Sequence, residues 1–239
     1  MKNQFKNILR KFGYDINLYP TQDIRRRIQL FKYFNINKIF DVGANTGGYA
    51  SSMRSAGYVD NIISFEPVKE AFDQLAKRAI HDTKWKTKNI ALGNNDGSSI
   101  INVSQNLVSS SIAEMSSLHV DSAPDSVYVR KEEIKIHKLD TIFFDLADKQ
   151  DKIILKIDTQ GFEKNVIDGA EKSLPLISGL QLEMSLVPLY NNELLFPELL
   201  RYLNDRGYSL YSLENGFSNP ESGQLLQVDG IFFRKDLGL

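Results

Sequence analysis

The most restrictive stretch of the sequence is residues 39–49, IFDVGANTGGY, where an apolar run passes straight into a glycine-rich turn and then a helical pattern. Strand, tight turn and helix in that order open a doubly wound α/β fold, whose ligands bind beyond the carboxyl ends of the parallel strands. Glycines in the first turn let a flat or charged ligand approach the backbone. The spacing is Asp-x-Gly-x-Asn-x-Gly. A pyrophosphate-binding turn reads Gly-x-Gly-x-x-Gly and aims a helix N-terminus at an anion, so the pattern points away from a nicotinamide dinucleotide. The next apolar run ends in Phe65-Glu66-Pro67, about twenty residues on, where a carboxylate can accept hydrogen bonds from a ribose diol.

Downstream, short β-rich runs alternate with helical patterns. Strands are expected at Lys38–Val42, Asn61–Phe65, 86–92, 152–157, 180–184, 209–213 and 230–233, and helices at 47–56, 68–80, 162–173 and 193–206. That alternation is the signature of βαβ units and a largely parallel sheet. Gly207 suits the C-terminal cap of the last helix. Residues 98–103 and 133–139 read as two extra strands, and Asp140 as the N-cap of a helix starting at Thr141. The polar stretch 104–127 has no period; loops that long inside compact domains are usually lids, binding loops or disordered. No crossover helix fits between the last two strands, so they should pair antiparallel.

Bulk properties narrow the function. The 239 residues suffice for one α/β core, and 42% hydrophobic with 25% charged residues excludes wholesale disorder. Cysteine is absent, which removes disulfides, thiolate nucleophiles and Cys-ligated zinc and suits the reducing cytoplasm. No run reaches the roughly 18–20 apolar residues of a membrane span, and no apolar signal core opens the sequence. The net charge of −1 conceals an asymmetry: residues 1–34 carry eight Lys/Arg against two Asp/Glu, net +6, leaving −7 for the rest. An acidic body has the wrong sign for tracking nucleic-acid phosphates.

The sequence thus divides into a basic helical extension at 1–35 and a domain at 36–239. Within the extension Phe5, Ile8, Leu9 and Phe12 recur at helical spacing beside Lys2, Lys6, Arg10 and Lys11. This reads as an amphipathic helix folded over the domain or over a second copy in a homo-oligomer, with peripheral membrane contact through residues 1–12 as the lesser reading. A second helix is expected over 21–34, with Arg25, Arg26 and Arg27 toward solvent.

Taken in order, DVGANTGGY at 41–49, FEP at 65–67, ALG at 91–93, LKIDTQGFE at 155–163, LEMSLVPLY at 182–190, Gly207-Tyr208 and LLQVDGIFFR at 225–234 resemble the FkbM family of class I methyltransferases. The resemblance spans residues 36 to 234. It implies a Rossmann-like, doubly wound and mostly parallel sheet with an antiparallel last strand. It also implies S-adenosylmethionine as cofactor and O-methylation of a hydroxyl on a sugar, glycan or natural-product acceptor. Carried over residue by residue, it puts Asp41, Gly43, Asn45 and Gly47 around the methionine end of the cofactor, with Ala44 and Tyr49 beside them. Glu66 with Pro67 would meet the ribose and Leu92 the adenine. Ser109, Ser110 and Ser111 match a serine-bearing stretch that would orient polar acceptors.

The second chemical centre is Asp158, delivered by the buried run 153–157 to the same sheet edge as the first turn. Methyl transfer from a sulfonium is an in-line displacement with an activated leaving group, so the protein chiefly holds the acceptor oxygen in line and accepts its proton. Asp158 could take that proton, hydrogen-bond the acceptor or offset the sulfonium, and so stands as both a catalytic and a cofactor residue. Glu183, inside the apolar run 180–184, needs a proton, cation or substrate hydroxyl as partner and is the second base candidate. Glu163 falls in the first turn of a helix, where the dipole favours a negative side chain whatever its chemistry. His137, which points opposite to Ile136 along an alternating strand, completes the catalytic set, and Gln160 and Tyr190 join the serines as acceptor contacts. No metal is expected, since no adjacent Asp-Asn pair supplies a third ligand beside Asp158 and Glu183.

Two rival readings stay open: an NAD(P)-type oxidoreductase and a cofactor-binding module without catalysis. Methylation of nucleic-acid bases is disfavoured, because the position after the fourth strand holds Asp158-Thr159-Gln160-Gly161 where an Asn/Asp-Pro-Pro-aromatic motif would be needed.

Overall fold

The computed structural model describes residues 10–14 and 19–237. The amphipathic positions Phe5, Ile8 and Leu9 lie outside them.

Helix α1 (Gln22–Tyr33) starts where the Thr21 hydroxyl accepts the Ile24 N–H at 3.4 Å, a capping bond that satisfies one free donor of the first turn. Then follow β1 (Lys38–Val42), α2 (Gly48–Ser55), β2 (Asn61–Phe65), α3 (Lys69–Ala79) and β3 (Trp85–Lys88). An inserted unit contains β4 (Ala91–Leu92), β5 (Gly97–Ser104), the short helix α4 (Ser117–Ser122), β6 (Tyr128–His137) and α5 (Leu139–Leu146). The second half comprises β7 (Ile153–Ile157), α6 (Glu163–Asp168), β8 (Ile177–Ser185), α7 (Phe196–Asp205), β9 (Tyr208–Asn215) and β10 (Gln227–Arg234).

Seven strands form one sheet in the order β3-β2-β1-β7-β8-β10-β9. The first five run parallel, and β10 pairs antiparallel with both β8 and β9. Chain order reverses between β1 and β7, which pair directly, so the loops after these two strands meet at the topological switch point. Every residue of β1 and of β7 is buried, as expected of central strands covered on both faces. One apolar layer packs Phe40, Leu155 and Leu182 against Phe143, Val166 and Leu203 of the helices. The opposite layer packs Ile39, Ile62 and Ile154 against Phe31, Met53 and Leu75. Three-stranded pairing of β4, β6 and β5 builds a second, smaller sheet beside the cleft.

Several expectations are corrected. The strand expected at 86–92 is two strands in two sheets: β3 pairs β2, and β4 leaves it to pair β6. The helix expected over 162–173 stops at Asp168, and Gly169 packs with its Cα side against the Gly93 carbonyl. Asp140 does not cap its own helix, which already includes it; its carboxylate accepts the Lys172 and Ser173 N–H groups and anchors the turn after α6. Arg27 does not face solvent. It is 9% exposed and ion-paired with Glu214, because the α1 face that carries Phe31 also carries Arg27 over the sheet. The stretch 104–127 is not featureless either: it contains α4 and two isolated bridges to other segments. Among the described residues no helix is long and apolar enough to cross a membrane.

Candidate active site

At the carboxyl edge of the sheet, the loop after β1 folds into a left-handed turn that only glycine accommodates at its centre. Gly43 has φ +70, and a Cβ there would lie 1.8 Å from the Asp158 carbonyl oxygen, so the backbones after β1 and β7 are in direct contact. Ala44 N–H and Gly43 N–H both donate to the Phe65 carbonyl, which ties the same turn to β2.

The carboxylate of Glu66 closes this corner. Its Oε2 accepts the Asn45 N–H and its Oε1 the Val68 N–H, each at 2.8 Å. Burial pushes the carboxyl up to about 7, against those two N–H bonds that favour the charged form. The cleft beside it contains ≈ 630 Å³ of space between atoms, open solvent included. Gly43, Asn45, Glu66, Asp158 and Thr159 supply its polar wall, and Phe65, Leu92, Ile101 and Phe162 its apolar one. A larger groove is lined by Asp168, Arg206, Tyr208 and Arg234 and contains none of the candidate catalytic or cofactor residues.

A second group of side chains converges beyond β7 and β8. Gln160, itself at φ 58, donates from Nε2 to Asp158 Oδ1 at 2.9 Å and to Glu183 Oε2 at 2.7 Å. Its Oε1 accepts the Tyr190 hydroxyl at 2.5 Å. Glu183 lies in register with Asp229 on β10, and burial together with the charges of Asp158 and Glu163 drives its carboxyl well above the usual carboxylate range. Burial raises Asp229 to about 6, with the Asp158 charge adding to it. Glu163 turns back on its own loop, accepting the Thr159 N–H at 2.9 Å and the Gly161 N–H at 3.3 Å. Burial raises it to about 7.

The structure brings Gly43, Asn45, Glu66, Pro67, Leu92 and Asp158 to one cleft, with Ser110 and Ser111 also in its lining. Ser111 Oγ donates to the Gln160 carbonyl at 2.6 Å, and Ser110 Oγ to the Leu107 carbonyl at 2.9 Å. Ser109 instead bonds Asn106. Asp41 lies below the cleft floor, fully buried against Ser64. Gly47 caps α2 against Leu75 and Trp85, and Tyr49 donates to Gln181 at 2.9 Å on the far side of β1. His137 stands away from both groups, with Nδ1 3.4 Å from Asp96 Oδ1.

Two residues escaped the sequence reading. Lys156 sits between Asp41 and Asp158, and although burial alone would lower its ammonium, those two carboxylates outweigh it and hold it above the usual lysine value. The signal was available: a lysine inside the otherwise apolar run 153–157 needs buried partners, as Glu183 does in its strand. Asp229, within 225–234, carried the same signal.

Residues 41–210 match the methyltransferase FkbM domain. The chain belongs to the FkbM methyltransferase family. It is accordingly an S-adenosylmethionine-dependent methyltransferase. The FkbM fold resembles magnesium protoporphyrin IX methyltransferase from Synechocystis PCC 6803 with bound SAM, at TM-score 0.47 and 10% identity over 95% of this chain and 89% of that one. It resembles 1,6-didemethyltoxoflavin-N1-methyltransferase of Burkholderia thailandensis at TM-score 0.48 and 10% identity, over 90% and 79% of the two chains. A TehB-like SAM-dependent methyltransferase from Corynebacterium glutamicum gives TM-score 0.43 and 12% identity over 98% and 96%. No curated protein matches the sequence.

The cleft of this FkbM protein suits the cofactor on its own terms. The backbone turn at Gly43 lines the cleft, an inward carboxylate offers lone pairs to a diol, and the wall of Phe65, Leu92 and Phe162 suits a flat base. Among the described residues no group of acids and histidines is arranged to hold a metal ion.

Proposed function

We propose that the enzyme methylates a hydroxyl on a sugar, glycan or natural-product acceptor. The observation that carries this reading is the pair Asp158 and Glu183, both bound to the Gln160 amide nitrogen, with Asp158 on the cleft wall. An alcohol is a weak nucleophile that must shed a proton as the new bond forms, and a carboxylate within reach meets that need. S-adenosylmethionine, when bound, supplies an electrophilic methyl on an activated sulfur. The chain's residues then have three tasks. Glu66 and the turn at Gly43 bind the donor. Gln160 and Tyr190 orient the acceptor oxygen, with Ser110 and Ser111 in the cleft lining. Asp158, 40% exposed at its side chain, accepts the hydroxyl proton, and Glu183, driven toward its neutral form, serves as a hydrogen-bond donor or passes the proton on. Asp41, Ala44, Gly47 and Tyr49 support the donor turn from beneath, and Glu163 holds the loop that carries Asp158. His137 and Ser109 have no reacting neighbour in this scheme.

The absence of cysteine favours a cytoplasmic setting. The deciding experiment measures S-adenosylhomocysteine release with free sugars, nucleotide sugars, glycans and amine analogues as acceptors. Turnover confined to the amine analogues would remove the hydroxyl assignment.

A further inference from the structure

Lys156 is a buried ammonium at the switch point, and the scheme above leaves it without a task. Its Nζ lies 3.2 Å from the Gly43 carbonyl oxygen, 3.2 Å from Asp41 Oδ1 and 3.4 Å from Asp158 Oδ2. The Tyr49 ring covers it, with the centroid 5.4 Å away. The Lys156 side chain is 8% exposed and that of Asp41 0%, whereas Asp158 borders the cleft. A lysine needed only for folding could be replaced, together with Asp41, by an apolar pair at little cost. This one reaches further, to the carboxylate on the cleft wall and to the backbone of the donor turn.

We propose that Lys156 is a positioning residue that sets the charge of the cleft wall at Asp158: it cancels one of the two carboxylates it touches and leaves a single negative charge shared by Asp158 and Asp41. That charge distinguishes the sulfonium of the donor from the neutral thioether of the spent product. The inference rests on the donor occupying this cleft. Two uncompensated carboxylates would hold the sulfonium more tightly in the ground state than in the transition state, where positive charge is leaving the sulfur. A Lys156, Asp41 and Asp158 group without net charge would let the spent product compete.

The test is calorimetric titration of the full chain with S-adenosylmethionine and with S-adenosylhomocysteine, reading the ratio of the two Kd values. Asp41→Asn removes one carboxylate and keeps the ammonium. It should shift the ratio toward the product by about fivefold, the order expected of one unit charge acting across several ångströms of partly solvated protein. Asp41→Asn with Lys156→Met removes both buried charges and should return the ratio to near the starting value. Asp158→Asn makes the same charge change outside the core, so it reports even where the buried variant folds poorly, and it should shift the ratio the same way. A purely structural lysine would change melting temperature and leave the ratio alone. Unchanged ratios in folded Asp41→Asn and Asp158→Asn overturn the proposal, as does a double variant that stays shifted. Failure of the unaltered chain to bind either compound would instead remove the donor-cleft reading itself.

Discussion

Asp158 directly follows β7 and Glu183 lies on β8, yet both bond the same nitrogen, Gln160 Nε2, at 2.9 and 2.7 Å. A carboxyl pair held by one amide has a fixed separation and a fixed aim. Asp158 stays in contact with Lys156, while burial among acids drives the Glu183 carboxyl toward its neutral form.

Gln160→Leu should therefore lower kcat by roughly 10–100-fold, because both carboxyls lose their holder, while the Kd for S-adenosylhomocysteine changes little. Steady-state kinetics on the acceptor found by screening, paired with calorimetry, checks this. An increase in KM alone would instead show that Gln160 only binds the acceptor.

Glu66 makes donor binding pH-dependent. Its carboxyl, raised to about 7 by burial, is protonated in the native state below that value and ionised above it. A ribose diol donates to the ionised form, so affinity for S-adenosylhomocysteine should rise as pH increases through 7 and level off above. Glu66→Gln should weaken binding by about tenfold and remove that rise. Titrations between pH 5.5 and 8.5, roughly the span over which such a group titrates, decide the matter; a persistent slope in the variant would assign it to another group.

Gly43→Ala tests the contact between the two loops. The added Cβ meets the Asp158 carbonyl oxygen at 1.8 Å from a left-handed backbone, so the turn must move. A loss of about 3 kcal/mol is expected, or roughly 6–12 °C in melting temperature for a domain of this size. Thermal denaturation followed by circular dichroism measures it, and a variant as stable as the parent would mean that the loops sit further apart.

Arg27 and Glu214 form a buried ion pair between α1 and β9. Removing one partner strands the other charge, so Arg27→Met should cost about 3–5 kcal/mol. Arg27→Met combined with Glu214→Leu should recover most of it, since an apolar pair of similar volume packs well. Denaturant unfolding of the three proteins gives the comparison; additive losses would mean that the pair is not coupled.

Much of the fold was legible because parallel strands covered on both faces are written as largely apolar runs, as in 153–157, and helices as apolar positions three and four residues apart. Glu66 was legible for a related reason: a carboxylate placed directly after such a run can only stand at the sheet edge. The split of 86–92 was not, since both pieces look alike in sequence and differ only in which neighbour they pair. Asp140 was misread because an acid near a helix start has the same local pattern whether it caps that helix or an adjoining turn.

The chain's own order of residues determined that a glycine turn, Glu66 and Asp158 lie at one edge of a parallel sheet, because strand, turn and helix preferences act between near neighbours. Only the tertiary structure decided that Gln160 holds Asp158 to Glu183, that Lys156 lies between Asp41 and Asp158, and that Arg27 is buried on Glu214. These are partnerships of charge across strands and helices remote in sequence. They depend on register, as between Asp229 and Glu183, and hydrophobic periodicity reports that a residue is buried without reporting what faces it.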